Sequence, residues 1–233
     1  MATSFLLKCV RTCSGGGLRA AIALSVGEWL LGCSDANPVT PAPTPVLSTV
    51  TIETVGRSSN VAVGQPLFFT ILTSDQFGRP VVVDFVDKQL SDTTHGVILV
   101  DSEFGDYLLG AVPGNTVLSA TASAAGIRRS ATKSITIFPS DSGVVEAVGG
   151  GGNNWHYAPG TVAVSRSAGD ATITWNLFFG SHTVHWDSQP AGGTVADIDS
   201  VTAAIVTRYF TVAGTYEYHC LIHSDMIGTI VVE

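Results

Sequence analysis

The sequence predicts an all-β fold, two consecutive β-sandwiches, on three observations. Short runs alternating apolar and polar residues recur along the chain, as in "STVTIETV" and "GTYEYHC", with turn residues between them. Charged residues make up only 13% of the 233 residues, while there are 25 glycines, the balance of a β-rich protein outside the cytoplasm. No stretch after residue 33 holds a helical period of useful length.

Residues 1–33 read as a targeting segment. Lys8, Arg11 and Arg19 precede an apolar run from Ala20 to Leu31, which closes on "LLGC" at Cys33. This resembles a bacterial lipoprotein signal, and the resemblance implies that Cys33 becomes the lipidated first residue of a periplasmic or cell-surface protein, held at the membrane by that lipid anchor. Processing would remove Cys9 and Cys13 and acylate Cys33, which leaves Cys220 as the free thiol of the mature chain. An unpaired thiol in an oxidising compartment needs burial or a metal. Removing residues 1–32 also takes away Lys8, Arg11, Arg19 and Glu28, so a chain already at −8 becomes more acidic. Nucleic acid is therefore not an expected partner.

Residues 34–45 carry Pro38, Pro41, Pro43 and Pro45, the composition of an extended tether. Residues 46–138 form the first expected sandwich, with strands at "STVTIETV", "PLFFTILT", "GVILVD", "TVLSATAS" and "KSITIF" and turns at "SDQFGRP" and "VPGN". "VAVGQPLFFTILTSDQFGRPV" and "GAVPGNTVLSATASAAGIRRSATKSITIF" resemble bacterial Ig-like domains, which implies a spacer or adhesion module. His95 has no metal-type residue beside it in sequence and reads as a surface loop residue.

"PSDSG" marks a boundary, and residues 142–233 form the second expected sandwich. Its strands are "GVVEAV", "TVAVSR", "ATITWNL", "SHTVHWD", "IVTRYFTV", "GTYEYHC" and "GTIVVE". Trp155, Trp175 and Trp186 are large enough to anchor its core. His156, in "NNWHYAPG", reads as a loop residue. The glycines at 149–152 lack the lysine and helix of a phosphate cradle and read as a strand connection.

Strand alternation sorts the potential ligands of this half. In "SHTVHWD", His182 shares a face with Val184 and Trp186, the apolar side, while Thr183, His185 and Asp187 take the other. In "GTYEYHC", Cys220 shares the apolar face of Tyr216 and Tyr218, and His219 faces out with Glu217. The chain must then turn back into "GTIVVE", so His223 and Met226 lie in a loop that can curl over the end of the core strand. Singly, Cys220 reads as an inert core thiol, His182 as a hydrogen-bonded core histidine and Met226 as a gap filler. Together, a thiolate, two imidazoles and a thioether are the ligand set of a blue copper site. Zinc gains little from a thioether, and calcium or magnesium would want oxygens.

"SHTVHW" and "FTVAGTYEYHCLIHSDMIGTIVV" resemble the two ligand segments of the cupredoxins, the small blue copper proteins, over residues 142–233. The resemblance implies a Greek-key sandwich, one type 1 copper held by His182, Cys220, His223 and Met226, and single-electron transfer between protein redox partners by a monomer. The C-x2-H-x2-M spacing matches the short loop of amicyanin-type members. Three strong donors and one weak one leave no vacant position for substrate, so an electron carrier is expected rather than an enzyme. Paired His-x-His motifs of multicopper oxidases are absent, and His185 and His219 read as exposed strand residues. The alternative is a copper-binding or storage protein, or a surface adhesion protein in which this domain is mainly structural.

Overall fold

The computed structural model describes residues 42–101, 105–149, 154–167 and 169–233. The targeting segment, Cys33 and most of the proline-rich tether lie outside the described residues. No helix among the described residues is long and apolar enough to cross a membrane.

The architecture is all-β. Leading strands are β1 (Leu47–Thr54), β2 (Asn60–Ala62), β3 (Pro66–Asp75), β4 (Phe85–Leu90), β5 (Gly96–Asp101), β6 (Gly105–Gly110), β7 (Gly114–Ala124) and β8 (Ile127–Phe138), with a short 3-10 turn at Val55–Arg57. They form two four-stranded sheets, β1-β3-β6-β5 and β2-β8-β7-β4. Alternation explains the pairing. From Thr116 to Ala124 every second residue of β7 is buried, which turns one face to the core and leaves the other half-solvated. Leu67, Phe69, Leu118, Ile135 and Ile137 fill the space between the sheets.

The turn after β3 is held by one carboxylate. Oδ1 of Asp75 accepts the amides of Phe77 and Arg79 at 2.8 and 2.9 Å, and Oδ2 accepts Nε and an Nη of Arg79 at 2.9 and 2.8 Å. Burial alone would raise the Asp75 pKa, but the Arg79 amide and guanidinium and the Phe77 amide outweigh it and hold the carboxyl below its ordinary range. A carboxyl with a depressed folded pKa adds stability above its unfolded value of about 3.9, and loses that contribution as the pH falls through the folded value. The stability advantage of wild type over Asp75→Asn is therefore expected to shrink between about pH 5 and pH 2, as read by urea unfolding at each pH.

Beyond residue 141 come β9 (Ser142–Val148), β10 (His156–Ala158), β11 (Thr161–Val164), β12 (Ala171–Ser188), β13 (Ile198–Phe210), β14 (Gly214–His219) and β15 (Ile227–Val232). Their order is β10-β9-β12-β14-β15-β11, with β13 also on β12. The β9–β12 and β11–β15 pairs are parallel and the others antiparallel. "ATITWNL" and "SHTVHWD", expected as two strands, are one continuous 18-residue strand. Gly180, between the two runs, sits in a bulge, where pairing with β13 slips between Leu177 and Ser181. Bulges bend a strand and increase its twist. The first half of β12 pairs with β9, pairing with β13 runs from Ala171 to Val184, and the residues from His185 to Ser188 pair with β14. One strand thus serves two layers of this sandwich.

Trp175, Tyr157, Tyr216, Tyr218, Phe210 and Ile173 are fully buried between those layers. Trp175 meets Trp186, Tyr218 and Phe210 at ring-centroid distances of 6.0, 5.7 and 6.4 Å, the spacing of favourable aromatic pairs. The two sandwiches abut. Gly64 has φ +75°, and a Cβ there would lie 2.7 Å from the Cα of Gly143, so only glycine permits this approach. The Ala163 amide also donates to the Ala111 carbonyl at 2.9 Å.

Candidate metal centre

The bulge in β12 places the first donor. Phe179 and Gly180 take φ of +62° and +141°, and pairing slips again between His182 and Val184. His182, Thr183 and Val184, three residues in a row, are consequently all buried. This corrects the expected alternation at one position: Thr183 turns inward rather than joining His185 and Asp187 on the outer face.

β14 keeps strict alternation. Tyr216 and Tyr218 are buried and Glu217 is exposed, so the chain leaves the strand with His219 half-exposed and Cys220 buried. The loop that follows is closed by its own backbone. The Cys220 amide donates to the Met226 carbonyl at 2.9 Å, and the Met226 amide donates to the His223 carbonyl at 3.1 Å. Met226 is fully buried there.

One ligand atom from each of His182, Cys220 and His223 can be chosen so that all lie within 4.8 Å of one another. Among the described residues this is the one group of three or more histidine, cysteine, aspartate or glutamate donors so placed. Sγ of Cys220 is 3.6 Å from Nδ1 of His223, and the rings of His182 and His223 are 5.0 Å apart.

Thr183 organises the sulfur. Its amide donates to Sγ at 3.4 Å, its hydroxyl donates at 3.7 Å, and the hydroxyl oxygen accepts the Leu221 amide at 2.7 Å. Burial alone would raise the Cys220 pKa. The donors of Thr183, Ile222 and His223 outweigh it and bring the thiol below its ordinary value, towards thiolate.

His182 is the most telling residue. Both of its ring nitrogens are buried without a hydrogen-bond partner. Burial, and then the neighbouring His223, lower its pKa and favour the neutral ring; the Phe178 carbonyl opposes this without reaching hydrogen-bond geometry. Leaving a buried polar group unsatisfied costs about 1–3 kcal/mol, and an ion bound at a ring nitrogen removes that cost at one of the two atoms. The donor set therefore fits a soft transition metal: a thiol disposed to ionise beside two imidazoles, one of them unpartnered.

Trp155 closes the site from β10's side, with its ring 4.8 Å from that of His182 and 5.6 Å from that of His223. Two glycines make room. A Cβ at Gly149 would lie 2.5 Å from the indole, and one at Gly180 would lie 3.3 Å from Nε2 of His182. Sequence reasoning treated Trp155 as core and missed Thr183. Nothing in the spacing of either residue points to the site, because a bulge and a short edge strand bring them there.

The other histidines stand apart from this cluster. His185 and His219 face outward, as expected. His156 is exposed but opens β10 rather than lying in a loop. His95 is half-buried in the turn before β5, 3.2 Å from the Val112 carbonyl.

No protein-family model matches the chain, and no curated protein does. Among solved structures, it is similar to a mutant of amicyanin in its reduced Cu(I) form at pH 4, with 29% identity over 39% of this chain and 80% of that one and a TM-score of 0.32. A second amicyanin mutant, in the oxidised form, gives 26% identity, the same coverage and a TM-score of 0.29. Domains 5–6 of the S-layer protein SbsC are similar over 81% of this chain and 98% of that one, at 14% identity and a TM-score of 0.34.

Proposed function

We propose that this chain is an extracytoplasmic, lipid-anchored type 1 copper protein that carries single electrons between protein redox partners and catalyses no reaction itself. The observation that carries this reading is the convergence of His182, Cys220 and His223, with both ring nitrogens of His182 buried and unpartnered. These three residues, with Met226 as the weak fourth donor, would hold one copper ion. Bound copper supplies a one-electron couple, which a mixture of thiolate, imidazole and thioether suits in both oxidation states.

The chain's own contribution is rigidity and access. Thr183 fixes the sulfur from β12, while backbone hydrogen bonds tie Met226 to both Cys220 and His223. The donors therefore sit in a framework that resists rearrangement when the ion's charge changes. Leu221, Ile222 and Ile227 are exposed around half-exposed His223, an apolar surface suited to transient docking of a redox partner. The acidic balance of the mature chain would favour partners with basic surfaces.

Optical and paramagnetic resonance spectra of the cupric-loaded protein test the reading. A strong visible thiolate-to-copper band is expected, cycling reversibly on reduction and reoxidation and absent from Cys220→Ser. A colourless loaded protein, or a band that survives in Cys220→Ser, would overturn it. Rapid surrender of the reduced ion to a chelator would instead point to copper carriage.

A further inference from the structure

The outer face of the β12–β14 pair carries a second set of metal-type side chains, separate from the buried cluster. His185 and His219 are directly opposed in the ladder, and their rings stand 5.3 Å apart at 78°. Each is held in the same way. Nδ1 of His185 lies 2.8 Å from Oδ2 of Asp197, and Nδ1 of His219 lies 2.8 Å from Oδ1 of Asp187. An ionised carboxylate can only accept, so Nδ1 is the protonated nitrogen of each ring. A neutral imidazole then carries its lone pair on Nε2.

The carboxylates are themselves placed. Oδ1 of Asp197 accepts the Trp186 amide at 3.2 Å. Arg208 spends its Nε and one Nη on the carbonyls of Ala196 and Asp197. Side-chain exposures of the two histidines and two aspartates run from 28% to 49%, so an ion can arrive directly from solvent. Glu217, exposed on β14, adds further negative charge to this face.

We propose that His185 and His219 form a second, solvent-facing site for a divalent transition-metal ion such as Zn(II) or Cu(II), bound through the two Nε2 atoms. Imidazole suits these ions. A carboxylate behind a ligating histidine fixes its tautomer and raises its basicity, and that arrangement occurs here twice. Two protein donors leave the remaining coordination positions to water, so this site is open and exchangeable, unlike the buried cluster. The assignment stands on the surface residues alone and is independent of the copper reading.

Zinc titration calorimetry on the full chain tests it. The expected result is an equivalent of Zn(II) that is retained in Cys220→Ser, lost in both His185→Asn and His219→Asn, and weakened roughly 10–100-fold in Asp197→Asn. Nitrogen NMR of the wild type should show zinc-induced shifts at Nε2 of both rings. If every bound equivalent disappears with Cys220→Ser, or if binding is the same in wild type and both histidine variants, the surface site does not exist. Failure of the buried site alone leaves the surface equivalent in place, so the two readings fail separately.

Discussion

Trp175→Ala is expected to destabilise the protein by about 3–5 kcal/mol, more than any other change considered for the fold. The indole is fully buried and packs on Trp186, Tyr218 and Phe210, side chains contributed by β12, β14 and β13. Removing it opens a void that rings anchored in three strands cannot collapse to fill. Trp175→Phe should cost much less. The indole Nε1 lies near the Tyr218 hydroxyl without reaching hydrogen-bond geometry and is buried with no other partner, so phenylalanine gives up volume but also removes a poorly satisfied donor. Urea unfolding of the three proteins checks this. Equal losses for alanine and phenylalanine would mean that the ring volume is not what matters.

Thr183→Val is expected to weaken copper binding by about 10–100-fold, or about 1.4–2.7 kcal/mol, with the fold intact. Valine preserves shape and keeps the amide donor to Sγ. It removes the hydroxyl, which lies 3.7 Å from Sγ and accepts the Leu221 amide at 2.7 Å. The loop carrying Leu221, His223 and Met226 then loses its tie to β12, and the Leu221 donor must find another partner. Competition against a chelator of known affinity gives the number. Thr183→Ser should recover most of the loss, since it restores the hydroxyl. Equal affinity in wild type and the valine variant would show that Thr183 does not support the site.

Much of the fold could be read from alternation because most of its strands are half-buried. In β7 and β14 the two-residue period survives intact, and that period alone turned Cys220 inward and His219 outward. The proposed donors of the loop were legible for another reason: Cys220, His223 and Met226 are local in sequence, so their spacing survives folding unchanged. Strands without a readable period were missed. β2 and β10 are three residues long, and β4, an edge strand, is half-exposed along nearly its whole length. β6 ends in three consecutive buried residues, where period two carries no signal. The inward turn of Thr183 was hidden because it depends on where β12 slips against β13, a property of the paired sheet rather than of either strand.

That slip has a consequence for how the molecule could change. In an unbroken ladder, residues 182 and 183 would stand on opposite sides, and one of the two could not reach the interior. The irregular step admits both, so a single short segment delivers an imidazole and, beside it, the group that steadies the sulfur of a distant loop. Three positions further along, the same segment shows a second imidazole to water. The surplus residue at this step belongs to β13, where Ile198 to Val201 spans three positions against two from His182 to Val184, so removing one residue of β13 there would restore ordinary geometry, and the arrangement inside would lose one of its two neighbours.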